Sequence, residues 1–186
     1  MLKILRGKKL GKSFFDRPTV RVARELLGKY LIVNQNEHFQ IGQIIETEAY
    51  VGEEDKACHA WRGCTPRNKT MWGQAGVLYV YLIYGMYHCL NIVTEQAGFP
   101  AAVLIRGLEP ISGISGEVNG PGKLCRELGI TTKNTGVDIT ESNKIYINDI
   151  DIGRKSKRVI VAERVGVDYA GEWARKKWRF LRGKTK

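Results

Sequence analysis

The chain has 186 residues, of which 43% are hydrophobic and 26% are charged, and thirty Lys and Arg against nineteen Asp and Glu give a formal charge of +11. This length supports one sizeable core, and the composition excludes an intrinsically disordered chain. The charge favours a polyanionic partner, nucleic acid or an acidic membrane surface, over a basic enzyme without such a partner. We therefore expect a single globular domain over residues 1–186.

Secondary-structure signals indicate a β-rich body with two helices. A helix is predicted after Asp16, which would cap it, with Pro18 in its first turn. A second helix is predicted over 121–128, before Gly129, which suits a left-handed turn. The polar segment 52–76 is long for a loop, and this length predicts a functional role. Strands are predicted over 30–34, 40–50, 78–83, 88–94, 101–108, 144–148 and 158–162.

Basic residues concentrate at both ends of the chain. We predict that residues 1–13 and 181–186 are exposed, mobile tails. The opening residues MLKILRGKKL lack the apolar stretch and the small-residue cleavage site of a secretory signal. We therefore expect a cytoplasmic protein, associated with the nucleoid if the source is prokaryotic.

The apolar segment 75–93, AGVLYVYLIYGMYHCLNIV, carries no Asp, Glu, Lys or Arg and is a candidate membrane helix. Its Val, Ile and Tyr content, the interruption at Gly85, and the polar residues His88 and Asn91 favour two buried strands around a turn. We predict the two strands and keep the membrane helix as the weaker alternative.

The cysteines show neither a CxxC pair nor the density of a disulfide framework, as expected in a reducing compartment. Two of them adjoin histidines, in Cys58-His59 and His88-Cys89. Neighbours in a strand point to opposite faces, so neither pair has metal-ligand spacing. We expect no metal site, with zinc as a weaker alternative.

Two glutamates at the end of an apolar strand are the first candidates for chemistry. In IIETEAY, Glu46 and Glu48 lie two residues apart, so strand alternation puts both side chains on one face. Like charges repel, so the two carboxylates should occupy different environments, and burial against tyrosines would prepare one as a general base. From these residues alone, two ordinary solvent-facing glutamates are an equally good interpretation.

Tyrosines and one arginine complete the constellation. Tyr79 and Tyr81 share a face of the 78–83 strand, and such rings serve either a core, which is commoner, or a platform on which bases stack. Arg106 lies isolated in the apolar strand AAVLIRG, where its charge needs a carboxylate partner such as Glu48. The pattern predicts a pocket with an acid, an arginine and stacking rings beside a basic surface.

Longer motifs then make the chain recognisable: ETEAYVGEEDKACHA, TPRN, LYVYLIYGMYHCLN, LIRGLEP, NGPGKLC and RVGVDYAGEWARK occur in this order. From residue 14 to residue 180 the chain resembles the methylpurine DNA glycosylases of the mammalian type, also called alkyladenine or 3-methyladenine DNA glycosylases. The resemblance implies an α+β fold, a single compact domain around a curved, mostly antiparallel sheet with flanking helices. It also implies base-excision repair, in which a damaged purine is flipped out of the duplex and its N-glycosidic bond is hydrolysed.

The resemblance assigns the chemistry to one end of the Glu46 strand. Glu48 would deprotonate the attacking water. Arg106 would help to hold that water, together with the backbone carbonyl of Val165. Glu46 would be a structural neighbour.

The resemblance also implies how the base is held. The flipped purine would lie between Tyr50 on one face and His59 with Tyr81 on the other. Tyr79 would orient His59 by a hydrogen bond. Asn91 would sit where the exocyclic amino group of guanine must go and would so disfavour normal guanine.

Contacts with DNA are implied for a turn and for three polar residues. Tyr84 would wedge into the gap left in the helix, with Met86 lining the wedge. The phosphates would face Thr65, Arg67 and Lys123. The segments 59–65 and 110–119 are shorter than in vertebrate relatives, so contacts to the strand opposite the lesion stay open.

The implied substrates are methyladenine, methylguanine and hypoxanthine in double-stranded DNA. A cationic alkylated purine stacks strongly and leaves as a neutral base, whereas hypoxanthine would need protonation, for which the sequence names no obvious acid. Since no lysine occupies the position of a Schiff-base lyase, we expect a monofunctional hydrolase, monomeric and without cofactor, that leaves an abasic site. The alternatives are a noncatalytic nucleic-acid-binding module on the same fold and a metal-dependent hydrolase.

Overall fold

The computed structural model describes residues 2–150 and 158–183, and the strands in this part of the chain form one antiparallel sheet. The strands are β1 (Lys8–Lys9), β2 (Tyr30–Gln35), β3 (His38–Val51), β4 (Leu78–Ile83), β5 (Tyr87–Val93), β6 (Ala101–Ser112), β7 (Ile145–Asp149), β8 (Val159–Ala162) and β9 (Arg179–Arg182). Their order is β1-β7-β2-β3-β6-β5-β4, and β9 pairs with both β3 and β8.

Short helices accompany this sheet. The α-helices are α1 (Leu2–Leu5), α2 (Lys12–Phe15), α3 (Thr19–Glu25) and α4 (Pro121–Glu127). The 3-10 helices are His59–Arg62, Lys69–Trp72, Thr132–Asn134 and Asp168–Arg175. One antiparallel sheet with helices packed on it confirms the predicted α+β class.

The main core lies between the sheet and helices α3 and α4. Helix α3 buries Val22 and Ala23 against β3 and β6, and α4 buries Leu124 and Cys125 against β5 and β6. Burying one large apolar side chain contributes about 1.5–3 kcal/mol to the free energy of unfolding. This contribution stabilises the short helices, which would not be stable alone.

The long strand β3 organises the site end of the sheet. Its amino-terminal half pairs with β2 and its residues 46–48 pair with β9 on the same edge, while β6 pairs along the other edge. The β3–β6 register shifts between Ile44 and Glu46 and again between Glu46 and Thr47. Such an irregularity bends and twists a strand, and here it lies directly before Glu48.

The predicted strands are all confirmed, with ends that move by up to four residues. The apolar segment 75–93 forms the hairpin of β4 and β5, so the prediction of two strands is correct and the membrane-helix alternative is wrong. Across the described residues, no helix is both long and apolar enough to cross a bilayer.

The capping prediction at the first long helix was wrong. Asp16 ends α2, and α3 begins after Pro18 without a side-chain cap from its own N-cap residue. The first backbone N–H of α3, that of Thr19, donates instead to the carboxylate of Glu95 at 2.9 Å. A partner distant in sequence thus supplies the acceptor that we expected from the adjacent aspartate.

The two ends of the chain are also more structured than predicted. Lys8 and Lys9 pair with β7, and Ile4 and Leu10 are buried, so much of the predicted tail 1–13 packs on the sheet. Residues 181 and 182 belong to β9, whose pairing with β3 the sequence did not predict. The remaining residues 184–186, two of which are lysines, lie outside the described part of the chain.

Candidate active site

Glu48 lies in β3 with its side chain fully buried. The Tyr50 hydroxyl donates to Oε2 at 2.8 Å, and the backbone N–H of Val165 donates to Oε1 at 2.8 Å. Arg106 approaches both carboxylate oxygens, with Nε 3.5 Å from Oε1 and Nη1 3.5 Å from Oε2. The carboxylate is held by groups from β3, β6 and the loop after β8, which fix its position before any ligand binds.

Glu46 is on the same face of β3, as strand alternation predicts, but in a different environment. Its Oε1 accepts from Arg106 Nε at 3.0 Å and from Arg179 Nε at 2.6 Å. Two arginines therefore balance Glu46, whereas Glu48 shares one of them at longer distance. This difference gives the two carboxylates the separate roles that like charges on one face require.

Burial raises the pKa of the Glu48 carboxyl, and the nearby Arg106 charge, the Val165 N–H and the Tyr50 hydroxyl oppose that rise only in part. Burial also raises the pKa of the Tyr50 phenol, as does the adjacent Glu48 charge, so the phenol keeps its proton and donates a hydrogen bond to the carboxylate. A carboxylate with a raised pKa is a better proton acceptor than a solvated one.

A cavity of about 510 Å³ opens next to this carboxylate. Its size is within the usual range for small-molecule sites. Tyr50, Arg106 and Val165 form part of its wall, and Glu48 lies behind them. Further lining comes from predicted site residues, namely His59, Tyr79, Tyr81, Tyr84, Asn91 and Lys123.

The aromatic wall opposite the Glu48 strand is built by a short helix and β4. His59 begins the His59–Arg62 helix, and its Nδ1 lies 2.9 Å from the Tyr79 hydroxyl. The His59 and Tyr81 rings meet edge to face, with centroids 4.4 Å apart. Desolvation lowers the pKa of the imidazole, and the Arg67 charge lowers it further, so the ring is neutral at neutral pH.

Asn91 forms part of the floor of the cavity from β5. Its side chain is buried, and Nδ2 donates to the backbone carbonyls of Tyr79 and Cys89, both at 3.2 Å. These two bonds fix the orientation of the amide.

The β4–β5 turn projects Tyr84 and Met86 away from the body. Tyr84 is 82% exposed and Met86 is 64% exposed. Tyr84 and Gly85 both have positive φ, at 53° and 70°. A tyrosine rarely adopts this conformation, which is characteristic of tight hairpin turns.

The three residues predicted to face phosphates are not brought together into one cluster by direct contacts. Arg67 donates to the Leu82 carbonyl at 2.7 Å, beside the hairpin, and Thr65 donates to the Asn68 side chain at 2.9 Å. Lys123 lies across the cavity at the start of α4, paired with Glu117 at 2.8 Å.

Sequence reasoning missed three residues of the site. Arg179, one of the basic residues near the carboxyl end, contacts Glu46. Arg164 and Asp55 form a fully buried ion pair behind the pocket. A signal existed for Arg164, because it directly precedes Val165 in the RVGV motif, but nothing in the sequence pairs it with Asp55.

No three His, Cys, Asp or Glu side chains gather as metal ligands within the described ranges. The cysteines there are free, including Cys58 and Cys89 near the pocket.

Enzymes that act on a base of duplex DNA hold the flipped base in a pocket lined by aromatic and apolar side chains, and the cavity next to Glu48 has such a lining. Residues 13–186 match the methylpurine-DNA glycosylase family, and the chain belongs to this family. It is 50% identical over 184 residues to a protein of Methanocella arvoryzae and 48% identical over 173 residues to one of Legionella pneumophila strain Lens. These alignments cover 92% and 93% of this chain and 90% and 93% of the relatives, both of which carry the name "Putative 3-methyladenine DNA glycosylase".

Proposed function

We propose that this protein is a monofunctional DNA N-glycosylase that flips an alkylated or deaminated purine out of duplex DNA. It hydrolyses the N-glycosidic bond of that purine with a water activated by Glu48. The observation that carries the proposal is Glu48 itself, a fully buried carboxylate with a raised pKa directly behind the wall of an aromatic cavity. Membership of the family and the names of the relatives support methylated purines as the substrates.

Glu48 acts as the general base. A water between the carboxylate and the sugar gives its proton to Glu48, its oxygen bonds to C1′, and the electrons of the C1′–N bond leave with the base. A carboxylate has about four acceptor sites, so the bonds from Tyr50, Val165 and Arg106 leave one site for this water. Arg106 and the Val165 carbonyl complete the water site.

The ring arrangement accounts for the preference for damaged bases. Tyr50 covers one face of the flipped purine, and Tyr81 with a neutral His59 covers the other. A cationic alkylated purine is attracted to these rings and meets no positive charge from His59. Hypoxanthine lacks that attraction, so we expect methyladenine and methylguanine to be released faster.

The exposed turn and the basic surface provide the DNA contacts. Tyr84 occupies the space of the extruded nucleotide, supported by Met86, and flipping is required because C1′ is inaccessible within the stack. Thr65, Arg67 and Lys123 bind the phosphates around the mouth of the cavity.

The proposal is tested with duplex oligonucleotides that carry one 7-methylguanine, 3-methyladenine or hypoxanthine, followed by alkali cleavage at abasic sites. We expect alkali-dependent cleavage at the lesion position and intact strands when the alkali step is omitted. Strand cleavage without alkali would contradict a monofunctional hydrolase. No release from any lesion, with lesion binding intact, would favour the noncatalytic binding module.

The same assay tests the metal-dependent alternative. Glu48, Arg106 and Val165 supply the proton acceptor and the polar groups around the water. EDTA at about 10 mM, far above trace-metal levels, should therefore leave the release rate unchanged. Loss of activity in EDTA, restored by a divalent metal, would assign the water to that metal.

A further inference from the structure

Arg164 is the most constrained cation near the pocket, with its side chain fully buried. Its Nη2 donates to Asp55 Oδ1 at 2.9 Å and to the Trp173 carbonyl at 3.0 Å. Its Nη1 donates to Asp55 Oδ2 at 2.5 Å and to the Ala49 carbonyl at 2.9 Å. One guanidinium therefore ties β3, the 52–76 loop and the Asp168–Arg175 helix to the segment that holds Val165.

The same guanidinium is stacked against aromatic rings. Its Cζ lies 4.8 Å from the centroid of the Tyr50 ring and 5.2 Å from that of Trp178. Its Nε has no hydrogen-bond partner among the described residues, as expected for the part of the side chain that lies between rings. Tyr50 lines the cavity and Arg164 does not, so we infer that the guanidinium lies over the face of the Tyr50 ring that is turned away from the cavity.

We propose that the Arg164–Asp55 pair is a positioning and specificity element, which holds the Tyr50 ring for stacking and tunes its preference between cationic and neutral bases. This inference rests on the proposed function, because it takes Tyr50 as the ring that stacks on the flipped purine. Arg164 touches neither the base nor the water and acts through Tyr50 and Val165.

The sign of the tuning follows from electrostatics. A cation on one face of a ring draws π-electron density towards itself and weakens the attraction of a second cation on the other face. Asp55 reduces this effect, because its carboxylate is bound at the edge of the guanidinium. Full neutralisation of the pair should favour cationic bases, and removal of the Asp55 charge alone should favour neutral ones.

The experiment measures binding to duplexes with 7-methylguanine or hypoxanthine opposite cytosine, in a Glu48→Gln background whose slow base release leaves the duplex intact during the measurement. For each variant we take the ratio of its affinity for the 7-methylguanine duplex to its affinity for the hypoxanthine duplex. This ratio is divided by the same ratio for the background, so steric differences between the two bases cancel. Asp55→Asn/Arg164→Gln should raise the 7-methylguanine preference by about three- to tenfold, the range expected for a cation–π contribution. Asp55→Asn alone should shift the ratio the other way.

Two controls separate positioning from loss of stability. Arg164→Lys keeps the charge behind Tyr50 and should leave the ratio near that of the background. Ile147→Ala, in the core of β7, lowers stability at a distance from the pocket and should not change the ratio. If the double variant does not fold, the two single variants still test the proposal, because Asp55→Asn should shift the ratio towards hypoxanthine and Arg164→Lys should leave it unchanged.

An equal change in affinity for both bases in every variant would show that the pair is only structural and would overturn the inference. The proposed function fails differently, because wild-type protein would then release no base from any lesion.

Discussion

The pocket wall and the β4–β5 turn, both parts of the candidate site, differ in how far the folded chain buries and holds their side chains. At the wall, Glu48 is fully buried and receives hydrogen bonds from Tyr50 and Val165. At the turn, Tyr84 is 82% exposed on a strained backbone. Hydrogen bonds within the folded chain hold the wall, whereas the exposed ring of Tyr84 is the group that would meet DNA in the proposed function. Substitutions at the wall should therefore change base release, and substitutions at the turn should change flipping.

The largest effect is expected at the wall, for Glu48→Gln. The amide keeps the shape of the side chain but cannot accept the proton of the water, so single-turnover base release should fall by at least about 10²- to 10⁴-fold. Lesion binding should stay within several-fold of wild type. Full activity in this variant would exclude Glu48 as the base and would remove the contrast between wall and turn.

The pH dependence of release should report the same group. Because burial raises the pKa of Glu48, the carboxyl takes up a proton at a higher pH than a solvated glutamate does. Only the ionised form accepts a proton from water, so release of 7-methylguanine should fall about tenfold per pH unit below that pKa. The measurement is a single-turnover pH profile at saturating enzyme. An acid limb that persists unchanged in residual Glu48→Gln activity would assign the limb to another group.

An intermediate effect is expected at the turn, for Tyr84→Ala. Loss of the ring removes the group that fills the gap in the stack and so offsets part of the unstacking cost of a few kcal/mol. Release at limiting enzyme should therefore fall by about tenfold. Tyr84→Phe keeps the ring and serves as the control. The effect should be smaller for a mispaired lesion, which flips more easily. Wild-type rates for Tyr84→Ala on correctly paired lesions would contradict the wedge role.

The smallest difference is expected between damaged and undamaged duplex in how their binding depends on salt, because phosphate contacts do not read the base. If about five to eight phosphates are neutralised, log affinity should fall against log salt with a slope of roughly −4 to −7. The slopes for damaged and undamaged duplex should be nearly equal, since the lesion-specific part comes from stacking on Tyr50, His59 and Tyr81. Fluorescence anisotropy from low to high salt measures both. A slope near zero would mean that the charge of +11 does not serve DNA binding.

Local patterns in the sequence were sufficient for most of the strands and for the face of Glu46 and Glu48. Alternation fixes which side chains share a face, and both carboxylates do meet Arg106. The hairpin of β4 and β5 followed from β-branched and aromatic residues around Gly85. Family motifs, and not spacing, assigned the individual roles around the cavity.

Only the tertiary structure decided which residues separated in sequence become partners. Glu48 accepts a hydrogen bond from Val165, which is 117 residues away in the sequence. Arg164 pairs with Asp55 at a sequence separation of 109 residues. At the start of α3 the carboxylate of Glu95 accepts the hydrogen bond that was predicted for Asp16. Near the carboxyl end, strand β9 pairs with β3 and so brings Arg179 to Glu46. Periodicity reports the direction of a side chain relative to its own strand or helix. Desolvation and ion pairing depend on what the rest of the chain packs against that side chain, and this is set by the fold.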